Sequence, residues 1–481
     1  MPHREAPASL CFRYGRSPVR RSPSEVLATI ADHGVRFASG GLPPARTAVP
    51  RADTRYDVLP NGIRVATEGM EGSHAVSLGV FVDAGPEDEP QTLHGVAHLA
   101  ERLLLQGTTS RSALDIGRLV DGVGGDLGGF TSRDYTCFFA NVLDDDHPRA
   151  LELFGDCLQN ATFPQASLER QREAVLSEMA TEDDRPRSRV VSLLRREAWD
   201  GGALGRSITG TRTGVRNVTR DDVLRFVRHH YTPDRIVVSA AGNVDHDDFL
   251  TRCEEAFGGL EGRRLPRSVP PSGFRSGLVT EGSAGELAHF ALGIPCGAYG
   301  SPDRHERGAL AGVLGGGVSS RLYRRLHEDL GLVHEIGTEV LAYRNGGMLV
   351  IRGSCAAWVL LGVMEEATTQ ILDLASGAAP VEEAELESCR SRLRAVQLLR
   401  GESSYARMSR IATQLLHFGE PASEAEILAD IDEIELDSVR GFATGAWRRG
   451  IADAAIAVLD PLGASRRFEA LSTCGESLYG T

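Results

Sequence analysis

His74 to Gly85 reads HAVSLGVFVDAG, and His289 to Gly300 reads HFALGIPCGAYG. In both stretches apolar residues recur at alternate positions and a glycine closes the run, the signature of a β-strand with a buried face. A helix is expected after each, Leu93 to Leu105 in the first half and Glu306 to Leu314 in the second. Each helix runs into a turn rich in Gly, Ser or Thr: QGTTSRS at Gln106 to Ser112 and GGGVSSRL at Gly315 to Leu322. Further strand regions and long helices follow, including Asp144 to Asn160 and Ala356 to Leu374. The recurrence is a duplication of a large unit, so it predicts two related α+β domains rather than a solenoid.

Between the halves, GRRLPRSVPPSGFRSGLVTEGSAG (Gly262 to Gly285) replaces periodic apolar residues with Pro, Gly and Ser and reads as a linker. The expected layout is an N-terminal extension (1–52), a first domain (53–262), a linker (263–285), a second domain (286–470) and a tail (471–481). A chain of 481 residues has room for two such cores.

Composition narrows the function classes. With 41% hydrophobic and 25% charged residues the chain is globular, and no apolar run approaches the length of a membrane span. The net charge of −14 argues against a nucleic-acid footprint. All 52 basic residues are arginine, so the arginines of the first fifty residues carry no targeting signal of their own. No apolar stretch there resembles a secretory leader, and a cytoplasmic location is expected. The eight cysteines form no CxxC pair, which fits buried thiols in a reducing compartment.

The stretch that carries chemistry is GVAHLAERLLLQGT, Gly95 to Thr108. It places His98, Glu101 and Arg102 on one helix face, at the spacing of an HxxEH inverted-zinc motif whose second histidine is Arg102. In that motif two histidines one turn apart bind the metal and the glutamate activates water. Four further stretches follow it: FTSRDYTCFFA (Phe130 to Ala140), TFPQASLERQREAVLSEM (Thr162 to Met179), HYTPDRIVVSAAGNVDHDDF (His230 to Phe249) and LGGGVSSRLYRRLHEDLGLVHEIG (Leu314 to Gly337). In order and spacing they resemble the pitrilysin/insulinase metallopeptidases, with mitochondrial processing peptidase subunits and their bacterial relatives nearest. The resemblance spans about Tyr56 to Leu459 and implies two domains, each a mostly antiparallel sheet flanked by helices, around a clam-shell chamber.

The resemblance also implies roles. His98 matches the first zinc histidine, Glu101 the general base and Glu178 the distal zinc carboxylate. Arg102 replaces the second histidine, Gln171 a glutamate seven residues before Glu178, and His327 and His334 the arginine and tyrosine that hold substrate. Phe130 to Ala140 alternates as an edge strand does, and its Phe130, Thr131 and Ser132 match the strand that in this family pairs with an extended peptide. An arginine cannot ligate a metal, because its guanidinium stays protonated. A bidentate Arg102–Glu178 pair is expected in the metal's place.

These departures lead to a non-catalytic homologue that binds or presents peptides, as the heterodimeric partner of an intact HxxEH peptidase. Two other readings stay open. One is an active zinc endopeptidase in which His94, four residues before His98, supplies the lost ligand; Gly95 opposes it by opening the helix after His94. The other is a structural scaffold subunit. No cofactor is expected unless the site functions, and then zinc. His327 and His334 flank Gly331, which is expected to end the helix between them.

Overall fold

The run around Ala75–Val82 does more than alternate, because seven of its eight residues are buried. A strand buried on both faces needs a layer on each side, and the computed structural model shows how this chain provides them. It describes residues 54–200, 202–262, 273–447 and 454–461. The first half contains strands β1 (Thr54–Val58), β2 (Arg64–Gly69), β3 (Ala75–Val82), β4 (Asp126–Thr131), β5 (Thr136–Leu143) and β6 (Ile236–Gly242). Its helices are α1 (Val96–Leu104), α2 (Ala113–Val123), α3 (His147–Asn160), α4 (Gln165–Asp183), α5 (Pro186–Ala198), α6 (Arg212–Asn217), α7 (Arg220–His230) and α8 (His246–Phe257). The second half contributes β7 (Gly277–Gly282), β8 (Leu287–Cys296), β9 (Val333–Tyr343), β10 (Gly346–Ala356) and β11 (Ala455–Asp460). Its helices are α9 (Arg304–Gly315), α10 (Leu360–Ser376), α11 (Glu383–Gly401), α12 (Ser404–Phe418), α13 (Glu424–Asp432) and α14 (Leu436–Trp447).

The first sheet has the order β1-β2-β6-β3-β5-β4 and the second β7-β11-β8-β10-β9. Without β1 the two orders match strand for strand. β2 runs parallel to β6 as β7 does to β11, and every other pairing is antiparallel. The expected pair of related α+β domains is therefore present.

One helix of each half lies on the other half's sheet. Met408, Ile411, Ala412 and Leu415 of α12 pack on Ala66, Phe81, Val237 and Ala241 of the first sheet. Val190, Val191, Leu194 and Ala198 of α5 pack on Ala291, Val350, Ala457 and Leu459 of the second. Each large apolar side chain buried this way contributes roughly 1.5–3 kcal/mol, so the exchanged helices complete both cores. Polar contacts add to the joint: Glu68 on β2, 1% exposed, takes hydrogen bonds from both Arg407 and Arg410 of α12. At the β9–β10 turn, Arg344 pairs with Asp83 and its backbone N–H donates to Asp134 (3.0 Å).

Two sequence expectations change. The stretch read as a linker holds β7, a hydrogen-bonded strand of the second sheet, so that half begins by Gly277. Residues 263–272 of the linker, the 1–52 extension and the 471–481 tail lie outside the described residues. Phe130 to Ala140 is not one edge strand but a hairpin: β4 is the edge, residues 132–135 turn, and β5 lies one strand inward with Phe138 in the core. The Ser132 N–H donates to the Tyr135 carbonyl (2.8 Å) and closes the turn without glycine or proline.

Candidate active site

Helix α1 starts at Val96 because Gly95 sits at φ +105°, where a side chain is strained. A Cβ there would also lie 2.6 Å from Val215 Cγ2 and 2.9 Å from the Thr209 carbonyl. The first-turn N–H groups of a helix lack internal partners. Here Glu89 supplies them: its Oε2 accepts from Gly95 N (3.0 Å) and its Oε1 from Ala97 N (2.8 Å). Nothing in the motif spacing pointed to Glu89, since its partners are main-chain groups. Burial pushes the Glu89 carboxyl up to about 7, against the pull of the two N–H groups.

That shift has a sign. A carboxyl whose folded pKa is raised stabilises the fold below its unfolded value of 4.5 and loses that contribution as pH rises through 7. The wild type is therefore expected to lose up to roughly 3 kcal/mol relative to Glu89→Gln between about pH 4.5 and 7. Urea titrations of both proteins across that range measure it, and a pH-independent difference would refute the assignment.

The face of α1 toward α4 carries the motif. His98 Nε2 lies 3.3 Å from Glu178 Oε2, and Arg102 Nη1 donates to the same oxygen at 3.0 Å. Arg102 Nε donates to Gln171 Oε1 at 2.8 Å. Gln171 and Glu178 are seven residues apart on α4, two turns, so they present one face. The expected bidentate pair is thus corrected: the guanidinium spans Gln171 and Glu178, with Nε on one and Nη1 on the other, two turns along α4.

Glu101 is 8% exposed and accepts from Thr131 Oγ1 at 3.3 Å. His98 Nδ1 approaches Glu101 Oε2 to 3.2 Å, an electrostatic contact whose angle makes no hydrogen bond. Burial opposes protonation of His98, but Glu101 and Glu178 outweigh it and raise the imidazole above its usual value. Gly129 makes room for this arrangement, since a Cβ there would stand 3.1 Å from Glu101 Oε1 and 3.2 Å from Phe138 Cδ1.

The remaining candidates lie elsewhere. Phe130 packs edge-on against Tyr135 (6.1 Å) and near Phe139 (6.3 Å), and Ser132 is in the hairpin turn. His94 stands in the loop before α1 with Nε2 buried and unpartnered, and burial, then Arg206, lowers its pKa. His327 belongs to a π-helical segment, Tyr323–Asp329, with its ring on Tyr323 (4.6 Å) and Nδ1 3.0 Å from the Val333 carbonyl. Gly331 follows at φ +60°, and His334 is exposed on β9. Among the described contacts neither histidine touches His98, Glu101, Arg102 or Glu178.

The donors do not suit zinc. One imidazole and one carboxylate converge, and the third position holds a fixed cation without a lone pair. Among the described residues no group of three His, Cys, Asp or Glu side chains is placed to hold a metal ion.

Two family models match the chain: "Insulinase (Peptidase family M16)" over residues 64–212 and "Peptidase M16 inactive domain" over residues 217–393. An uncharacterized zinc protease of Mycobacterium tuberculosis (strain H37Rv) is 33% identical over 428 residues, 88% of this chain and 96% of the relative. The chain belongs to the insulinase family of peptidases. Another relative, a probable β subunit of the mitochondrial-processing peptidase of Arabidopsis thaliana, is 29% identical over 81% of this chain and 76% of its own. The fold is also that of a Helicobacter pylori protease, with a TM-score of 0.76 at 19% identity, covering 85% of this chain and 100% of that one. A chain of complex III2 from Candida albicans aligns at a TM-score of 0.75 and 20% identity, over 85% and 96%. Several relatives are named zinc proteases, so zinc is plausible for the family, and the substitution at Arg102 matters against that background.

Proposed function

We propose that this chain is a non-catalytic insulinase-family subunit that binds and presents extended peptides to an intact HxxEH homologue in the cytoplasm. The observation that carries the reading is Arg102, whose guanidinium is held by Gln171 and Glu178 where the motif requires a lone pair. Glu101 keeps the position of a general base, buried between Thr131 and His98, but the cation beside it is one that cannot bind water as a Lewis acid. What survives is the means to hold a peptide: β4 is an edge strand, and its outer backbone groups suit strand addition. A zinc site rebuilt around His94 lacks support, because α1 begins after Gly95 and the i, i+4 relation to His98 is not helical.

The test is purification of the chain alone and together with an intact homologue. Alone it is expected to bind a fluorescein-labelled extended peptide, read by anisotropy, and to leave it uncut. The complex is expected to cleave, and substitution of the homologue's own motif histidines is expected to stop it. Chelator-sensitive cleavage by the chain alone would overturn the proposal, as would failure of the two proteins to associate.

A further inference from the structure

Two of the three guanidinium nitrogens of Arg102 are engaged by α4, Nε by Gln171 Oε1 at 2.8 Å and Nη1 by Glu178 Oε2 at 3.0 Å. Among the described residues nothing accepts from the third, Nη2. That nitrogen is not enclosed either: the side chain is 31% exposed, and Nη2 is not one of the buried polar atoms that lack a partner. A guanidinium is planar and rigid, so holding two of its nitrogens fixes the direction of the third. Arg102 therefore presents a charged N–H donor to solvent in one set orientation.

An open strand edge lies beside it. Arg102 follows Glu101 on α1, and Glu101 reaches over β4: it accepts from Thr131 Oγ1 at 3.3 Å, and a Cβ on Gly129 would stand 3.1 Å from its Oε1. Among the described strands β4 pairs with β5 alone. Gly128 and Gly129 sit in the middle of β4, and glycine within a strand marks a place where a second backbone can approach closely. A peptide strand added at this edge lies about 4.8 Å from β4. Only alternate residues of such a strand turn their N–H and C=O groups toward β4. The carbonyls between them take no partner from the sheet.

An HxxEH helix places a Lewis acid at this point, where it polarises a peptide carbonyl and activates a water. The Arg102 guanidinium offers a carbonyl oxygen a charge-assisted hydrogen bond, one of the stronger kinds. It has no means of bringing a water to that carbonyl. The geometry thus suits holding a peptide bond without cutting it.

We propose that Arg102 Nη2 donates to a main-chain carbonyl of the peptide held on β4, so that the residue which displaces the metal is also the peptide's anchor. The inference rests on the peptide-binding reading above. It specifies the ligand as an extended main chain, with no demand on the charge of its side chains.

The test uses the whole chain and a fluorescein-labelled extended peptide, together with copies of that peptide in which one carbonyl at a time is replaced by a thiocarbonyl, a weaker acceptor. Anisotropy titrations are expected to show the wild type binding the parent peptide about tenfold tighter than Arg102→Met or Arg102→Leu, neither of which has a donor. One thiocarbonyl position is expected to weaken binding to the wild type and to leave binding to both variants unchanged, because the hydrogen bond it tests is already gone. Thiocarbonyls that face β4 should cost the same in all three proteins. If both variants bind the parent peptide as tightly as the wild type, or if no position's penalty depends on Arg102, this inference is overturned and the peptide-binding reading stands. If the wild type binds no peptide, both fall together.

Discussion

Arg102→His is expected to give the chain a zinc site, from negligible metal to about one ion per chain after purification without chelator. Two donors are already in place, since His98 Nε2 and Glu178 Oε2 lie 3.3 Å apart. The substitution adds a third at i+4 on the same helix face, completing a His₂-carboxylate set. It also removes a fixed cation and frees Glu178 Oε2 from the 3.0 Å hydrogen bond with Arg102 Nη1. Gln171 remains where a carboxylate would support the ligands, so affinity is expected to fall roughly 10- to 100-fold short of an intact motif. Elemental analysis and competition with a chromogenic chelator read this directly, and adding Glu178→Gln should abolish the gain. Stoichiometric zinc in the unaltered chain, or none in the variant, would sink the account. Because metal content is the readout, the outcome does not depend on whether His327 and His334 support catalysis.

Glu68→Leu should have the largest effect on stability. Glu68 is 1% exposed and accepts from Arg407, Arg410 and Thr54. Its loss leaves two guanidinium groups, 13% and 16% exposed, facing an apolar side chain. Removing one member of a buried ion pair costs about 3–5 kcal/mol, mostly through the charge left unpaired. Arg407→Gln should cost clearly less, because Arg410 still holds the carboxylate. Urea midpoints for the two variants provide the comparison, and equal losses would show that the triad is not the unit that matters. Since the arginines lie on α12 and the glutamate on β2, the unfolding transition should also report loss of contact between the halves.

Much of this architecture was legible in the sequence. The alternating runs at His74 and His289 located β3 and β8, and the repeated order of elements anticipated two sheets of matching topology. The HxxE spacing put His98, Glu101 and Arg102 on one face, and the later helix brought Glu178 to it. The helix exchange was not legible, because an apolar stripe on α5 or α12 says that something must cover it and not which sheet does. Glu89 escaped notice for a related reason: it binds backbone N–H groups, which every residue but proline offers. The β4–β5 hairpin was hidden by a turn, Ser132 to Tyr135, that lacks the usual glycine or proline. Gln171 was noted as a departure, yet its hydrogen bond to Arg102 Nε appears only once the angle between α1 and α4 is fixed.

The crossing of α12 onto the first sheet has a consequence for biosynthesis. The last strand of that sheet ends at Gly242, but the helix that covers its outer face ends at Phe418. At about 5–20 residues per second, a ribosome needs roughly 10 to 35 seconds to make the intervening chain. Throughout that interval Ala66, Phe81, Val237 and Ala241 lack the apolar cover that α12 supplies. The nascent first half is therefore a natural client for chaperones that recognise exposed apolar strands, and a chain truncated before Ser404 should stay bound to them.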